Sequence, residues 1–100
     1  MKQGSNFYQT NKNVLQTLKQ YVPVVDRVHG AAHPEFHDVR ALFEAILEKT
    51  TTAGSEDLDL NEEFLQLHQI TDNYTVPNDV CESYEAVYSM LAEIEESYKA

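Results

Sequence analysis

The last stretch of the chain carries apolar residues in alternating steps of four and three: Val80, Tyr84, Val87, Leu91, Ile94 and Tyr98. That spacing lines one face of an α-helix and cannot line a strand, whose side chains alternate at every second residue. Glu82, Glu85, Glu93, Glu95 and Glu96 occupy positions between, and they mark the exposed face of an amphipathic helix. A helix of this length gains its stability from what it packs against, so the rest of the chain must supply matching apolar faces.

It supplies three. The first segment runs from about Asn6 to Val28 with Phe7, Val14, Leu18, Val22 and Val25 on one stripe. Pro23 predicts a kink or a break there, because proline lacks the N–H that a helix interior needs. Gly30 is the expected C-cap. The second segment opens at Pro34, with Glu35 and Asp38 at the positive end of the helix dipole. Val39, Leu42, Phe43, Ile46 and Leu47 form its stripe, Arg40, Glu44 and Glu48 lie outside it, and Lys49 sits at its negative end. Residues from Thr50 to Ser55 read as a loop at the midpoint. The third segment follows Glu56, Asp57 and Asp59, carries Leu60, Phe64, Leu67 and Thr71, and ends near Asn73 or Tyr74 ahead of Pro77. Asn78 or Asp79 is the expected cap of the fourth.

Four such helices joined by short connections predict an all-α fold, an antiparallel up-down four-helix bundle forming a single domain over residues 1–100. A three-helix bundle with a loose N-terminus is the alternative. The shared period assigns the core to Leu18, Val22, Val25, Val39, Phe43, Ile46, Phe64, Leu67, Val87, Leu91 and Ile94. Only three Gly and three Pro break the chain, which suits long helices better than a many-turned β fold.

Seventeen acidic residues against seven basic ones give a net charge of −10. That field repels phosphate backbones and anionic bilayers, and the bases are scattered from Lys2 to Lys99, so neither nucleic acid nor a membrane surface is an expected partner. No stretch is long and apolar enough for a signal peptide or a membrane span. The single cysteine, Cys81, cannot form an internal disulfide, and a reducing cytoplasm is the expected location.

Histidines are the main candidates for chemistry. His29, His33 and His37 fall four residues apart, and His68 lies in the third helix. Histidines at i and i+4 share a metal only on one helical face, and Gly30 and Pro34 interrupt that face. His29 extends the stripe of Leu18, Val22 and Val25, so it is expected to point inward, either as a metal ligand or as a hydrogen-bonded core histidine. His33 is read as a ligand or a cap of the second helix. His37 is expected to be solvated, and His68 to be half-buried on the surface. Cys81 lies near a helix start, where a thiolate is favoured, but lacks a base nearby in sequence, so a packed thiol is expected. Tyr84, Tyr88 and Tyr98 suit a core or a half-wet contact surface. No glycine-rich phosphate loop or nucleophile elbow occurs, and the residues give no independent argument for catalysis.

Two stretches resemble a known family. Val25-Asp26-Arg27-Val28-His29-Gly30-Ala31-Ala32-His33-Pro34-Glu35 resembles the V-H-G-x-x-H-P-E stretch of hemerythrin-like iron–sulfur cluster repair proteins, the repair-of-iron-centres family. Ile70-Thr71-Asp72-Asn73-Tyr74-Thr75-Val76-Pro77-Asn78-Asp79-Val80-Cys81, continuing through Tyr84 and Tyr88, resembles that family's T-x-N-x-T-x-P-x-x-x-C connection into its last helix. The resemblance implies a hemerythrin-like but shortened bundle. Family members are di-iron four-helix proteins that restore iron–sulfur centres after oxidative or nitrosative damage. By resemblance, His29 matches a metal-ligand position, His33 belongs to the same motif, and iron is the implied cofactor, although the fold requires none. The chain departs from the family where an H-x-x-x-E pair follows the second helix, because here Thr50 to Ser55 leads straight to the third. Glu56, Asp57 and Asp59 stand where the family has another histidine, and the sequence stops at Ala100, before a final H-x-x-x-E pair. A two-helix deletion describes the pattern.

Three expectations follow from the resemblance. The chain is an accessory or metal-binding relative in oxidative or nitrosative stress, a metal-free helical interaction module, or a di-metal protein completed by a second subunit. Helices lost from the family's fold leave apolar surface to cover, so a homodimer or a protein partner is expected, with Tyr84, Tyr88 and Tyr98 as the shared surface.

Overall fold

A computed structural model describes residues 3–52 and 58–99. Four helices form among them: α1 (Gln3–His29), α2 (Glu35–Thr52), α3 (Asn61–Thr71) and α4 (Glu82–Lys99). The 27 residues of α1 amount to about 40 Å of helix and run the length of a molecule measuring 42 × 23 × 19 Å. α1 packs against α2 and α4, and α2 against α3. Asp26 near the end of α1 bonds Arg40 near the start of α2, Lys49 near the end of α2 pairs with Glu63 at the start of α3, and the amide of Leu60, just before α3, donates to Tyr98 in the last turn of α4. Each neighbour therefore runs antiparallel to the last, as an up-down-up-down four-helix bundle requires. Among the described residues there is no strand, and no helix is long and apolar enough to cross a membrane.

All eleven residues assigned to the core by periodicity are buried. They share it with Phe7, Leu15, Phe36, Leu58, Leu60 and the tyrosines Tyr84, Tyr88 and Tyr98. The tyrosines are consumed inside the chain: Tyr98 packs edge-on to Phe7 at 6.0 Å, and Tyr84 hydrogen-bonds Tyr88 through their hydroxyls at 2.9 Å. The tyrosine contact surface expected there is therefore not exposed. Among the described residues, the exposed large apolar side chains are instead Tyr21, Val24 and Val28 on α1 and Leu65 on α3.

Several boundaries differ from expectation. α1 continues unbroken past Pro23. α2 includes Thr50, Thr51 and Thr52, whose hydroxyls donate to the carbonyls of Ile46 (2.7 Å), Leu47 (3.0 Å) and Glu48 (2.7 Å), so this end of the expected loop is helical. Residues 53–57, with the acidic start at Glu56 and Asp57, lie outside the described residues. α3 stops at Thr71, and Asp72, Asn73 and Tyr74 turn into the left-handed region with φ of 53°, 58° and 62°. Three such non-glycine residues in a row are costly and are held by bonds from the Tyr74 amide to Thr71 Oγ1 (2.8 Å), from the Asn73 amide to the His68 carbonyl (2.9 Å) and from the Thr75 amide to the Thr71 carbonyl (3.0 Å). α4 begins only at Glu82. Asp79, one of the two expected caps, lies three residues before its first residue and bonds His33.

Candidate functional site

The end of the bundle where α1 stops and α4 starts gathers most of the chemistry. Asp26, one turn from the end of α1, is nearly buried and takes His37 Nδ1 at 2.5 Å and Arg40 Nη1 at 3.2 Å. His37 is thus exposed, as expected, yet tied to a buried carboxylate. Gly30 follows α1 without a positive φ. A Cβ there would press on the Asp26 carbonyl and lie 2.6 Å from His37 Cε1, so glycine is needed for space and not for a left-handed cap.

His29, the last residue of α1, is half-buried. It does not enter the core as its stripe suggested. Its ring stands edge-on to Tyr84, with centroids 5.6 Å apart at 88°, and its Nε2 lies 3.1 Å from Cys81 Sγ. His33, in the α1–α2 connection, is bonded at both nitrogens: Nδ1 to Glu35 Oε2 at 3.1 Å and Nε2 to Asp79 Oδ1 at 2.9 Å. It caps through its backbone, accepting from the Phe36 amide, while its side chain bridges to the loop before α4. Its ring also lies 5.6 Å from Tyr84, which the two histidines therefore flank. Desolvation opposes the charged form of His33, but the hydrogen bonds and charges of Asp79 and Glu35 prevail and raise its pKa above 6.5.

Cys81 is exposed, not packed. Its carbonyl accepts the first bond of α4, from the Glu85 amide at 3.3 Å. Its sulfur faces the backbone N–H groups of Tyr84 and Ser83 at the helix start and the imidazole of His29. Led by the Tyr84 amide and then the His29 contact, these neighbours lower the thiol pKa from 9.0 to about 7. The base that sequence proximity did not offer comes from 52 residues away.

A second polar cluster joins α3 to α4. Glu95 was expected on the exposed face and is instead buried. His68 Nε2 (2.7 Å), Lys99 Nζ (2.7 Å) and the Tyr74 hydroxyl (2.9 Å) all reach its carboxylate. Burial works to raise the Glu95 pKa, and Lys99, His68 and Tyr74 overcome it, leaving the carboxyl below its ordinary value. Burial and the Glu95 bond push the Tyr74 hydroxyl far up, so it stays a donor. His68 is half-buried, as expected, and Asn73 Oδ1 holds its other nitrogen at 2.9 Å.

Iron of the kind the resemblance implies needs several histidine and carboxylate donors converging on one point. Here the described donors are directed at one another: His29 at Cys81, His33 at Glu35 and Asp79, His37 at Asp26, His68 at Glu95. Among the described residues, no three His, Cys, Asp or Glu side chains form a group that suits a metal ion. His29 and His33 flank the same tyrosine, and the described residues do not assemble the donor set of a di-iron site. No protein-family model matches the chain, and no solved structure matches it.

Proposed function

We propose that the chain is a shortened relative of the iron–sulfur cluster repair proteins that serves as an accessory component in oxidative or nitrosative stress. The observation that carries the reading is the meeting of the two resembling stretches. They are separated by α2 and α3 in sequence, yet His29 rests on Cys81 and His33 on Asp79. Two motifs that resemble one family in order also form one connected surface, a relation that chance matches would not need to satisfy. The test is a deletion strain given a pulse of oxidant or nitric oxide. Recovery of an iron–sulfur enzyme's activity should be slower than in the parent and be restored by the intact chain. Recovery at the parental rate would end the reading.

A metal-free interaction module is the second reading, favoured by two observations. His33 and His68 are bonded by protein partners at both ring nitrogens, and Tyr21, Val24 and Val28 leave apolar side chains exposed on α1 at steps of three and four. Iron analysis of protein purified without chelators separates the two. Fully helical, iron-free protein that still associates favours the second reading, and bound iron counts against it.

A further inference from the structure

The charges of this chain are divided by element. Sixteen of the seventeen acidic residues stand at or after Glu35, while Lys2, Lys12, Lys19 and Arg27 precede it. Asp26, the remaining acid, is buried and engaged by His37 and Arg40. α1 therefore presents no exposed acidic residue, in a chain whose net charge is −10. Ion pairs among the described residues engage Arg40, Lys49 and Lys99, and none engages Lys12, Lys19 or Arg27.

The last two turns of α1 add apolar surface to this acid-free side. Tyr21, Val24 and Val28 are 38%, 45% and 61% exposed, and steps of three and four place them on one side of the helix. Arg27 is exposed one turn from Val24, and the exposed Ala31 and Ala32 carry apolar surface past the helix end. Tyrosine and arginine are the residue types that most often anchor protein contacts. Salt at physiological strength screens charges beyond about 8 Å, and the molecule is 19 Å across at its narrowest. An approaching segment therefore responds to the face it meets more than to the net charge.

We propose that this face of α1 docks an acidic amphipathic helix of another protein. The apolar stripe of that helix covers Tyr21, Val24 and Val28, and its carboxylates meet Arg27, with Lys12 and Lys19 adding to the local field. Charge favours this occupant over a second copy of the chain. Two α1 faces together would oppose basic side chains to basic ones. α4 is an acidic amphipathic helix, but its apolar stripe is already buried. Outside α1, the described residues offer one exposed large apolar side chain, Leu65, too little to cover three. The inference needs neither iron nor the family resemblance, so it goes beyond both readings of function and fails separately from them.

The probe is a fluorescent synthetic peptide of about 18 residues, five helical turns, with Leu at steps of three and four and Glu at the outer positions. The intact chain should bind it, although two net anions are expected to avoid each other. Val28→Glu and Arg27→Glu should each weaken binding about 10-fold or more, with helical signal unchanged because both residues are exposed. Leu65→Glu on α3 should leave binding within about 2-fold of the unaltered chain. Raising salt from ~0.05 to ~0.5 M should weaken binding about 3-fold or more. No binding of the peptide, or binding that survives both α1 variants, would overturn the proposal. So would binding that is indifferent to salt and to Arg27→Glu, because charge would then select nothing. A chain that sediments as a dimer, is dispersed by Val28→Glu and ignores the peptide would give the face to a second copy and overturn the proposal as well.

Discussion

Gly30 shows how closely single residues are fixed at the polar end. Its neighbours are a backbone carbonyl and the His37 ring, and the carbonyl cannot swing away as a flexible side chain would. Gly30→Ala should therefore cost about 1 to 3 kcal/mol through overpacking, read from the urea midpoint; an unchanged midpoint would show slack that the geometry denies. In the core the argument runs the other way. Phe43 and Leu91 are 2% and 0% exposed, so truncating either to Ala should cost about 2 to 5 kcal/mol, against well under 1 kcal/mol for exposed Glu85→Ala. These core positions were legible in the sequence because a helical stripe needs only local spacing. The His29–Cys81 and His33–Asp79 contacts were not, because they join residues 52 and 46 apart and no spacing rule reaches that far. Asp79 carried the signal of a helix cap and meets a histidine instead. Glu95 sat among exposed acids in the pattern, and it is buried with three partners, on α3, on α4 and in the connection between them.

Among the elements, α3 is the shortest at 11 residues, and polar bonds at both its ends tie it to α4. At its start, the buried Leu60 amide donates to Tyr98 Oη at 3.0 Å. Tyr98→Phe removes that acceptor and should cost about 1 to 3 kcal/mol, with amide exchange accelerating at the start of α3 more than at the middle of α1. At the other end, the threefold grip on Glu95 depends on its charge. Because its pKa is depressed, that stabilisation is present above the ordinary value of 4.5 and is lost as pH falls through the lower folded value. His33 behaves oppositely: its pKa is raised, so its contribution is full below 6.5 and fades as pH rises through the higher folded value. Urea midpoints measured across pH should show Glu95→Gln costing least in acid and His33→Gln costing least in alkali. Parallel curves for the two variants would contradict these opposite linkages. Helix boundaries were the less legible part at this scale. Thr50 to Thr52 resembled a loop because threonine is a weak helix former, yet their hydroxyls close back on the preceding turn. The left-handed run at Asp72, Asn73 and Tyr74 carries no glycine to announce it.

For the whole molecule, the bundle spends the tyrosines of α4 internally and leaves Tyr21, Val24 and Val28 on the outside of α1. That face gathers three of the four exposed large apolar side chains among the described residues, so association is expected there. Val28, 61% exposed, should tolerate replacement by Glu with a stability change within about 0.5 kcal/mol. The same change should lower the sedimenting mass of a dimer or complex seen with the unaltered chain. An assembly that survives Val28→Glu would lie elsewhere.

The pairing of α1 with α4 also bears on how the chain is made. Synthesis delivers α1 first and α4 last, so the apolar stripe of Leu18, Val22 and Val25 leaves the ribosome long before its final neighbour exists. α2 follows closely and can cover one side of it. The other side must wait while the intervening connection, α3 and the left-handed turn are translated. During that interval the nascent chain presents a half-covered helix, the kind of surface that chaperones bind and that neighbouring nascent chains join by mistake. The polar contacts at Cys81 and Asp79 form only when the start of α4 returns to the end of α1, so they belong to the late steps of folding and mark its completion.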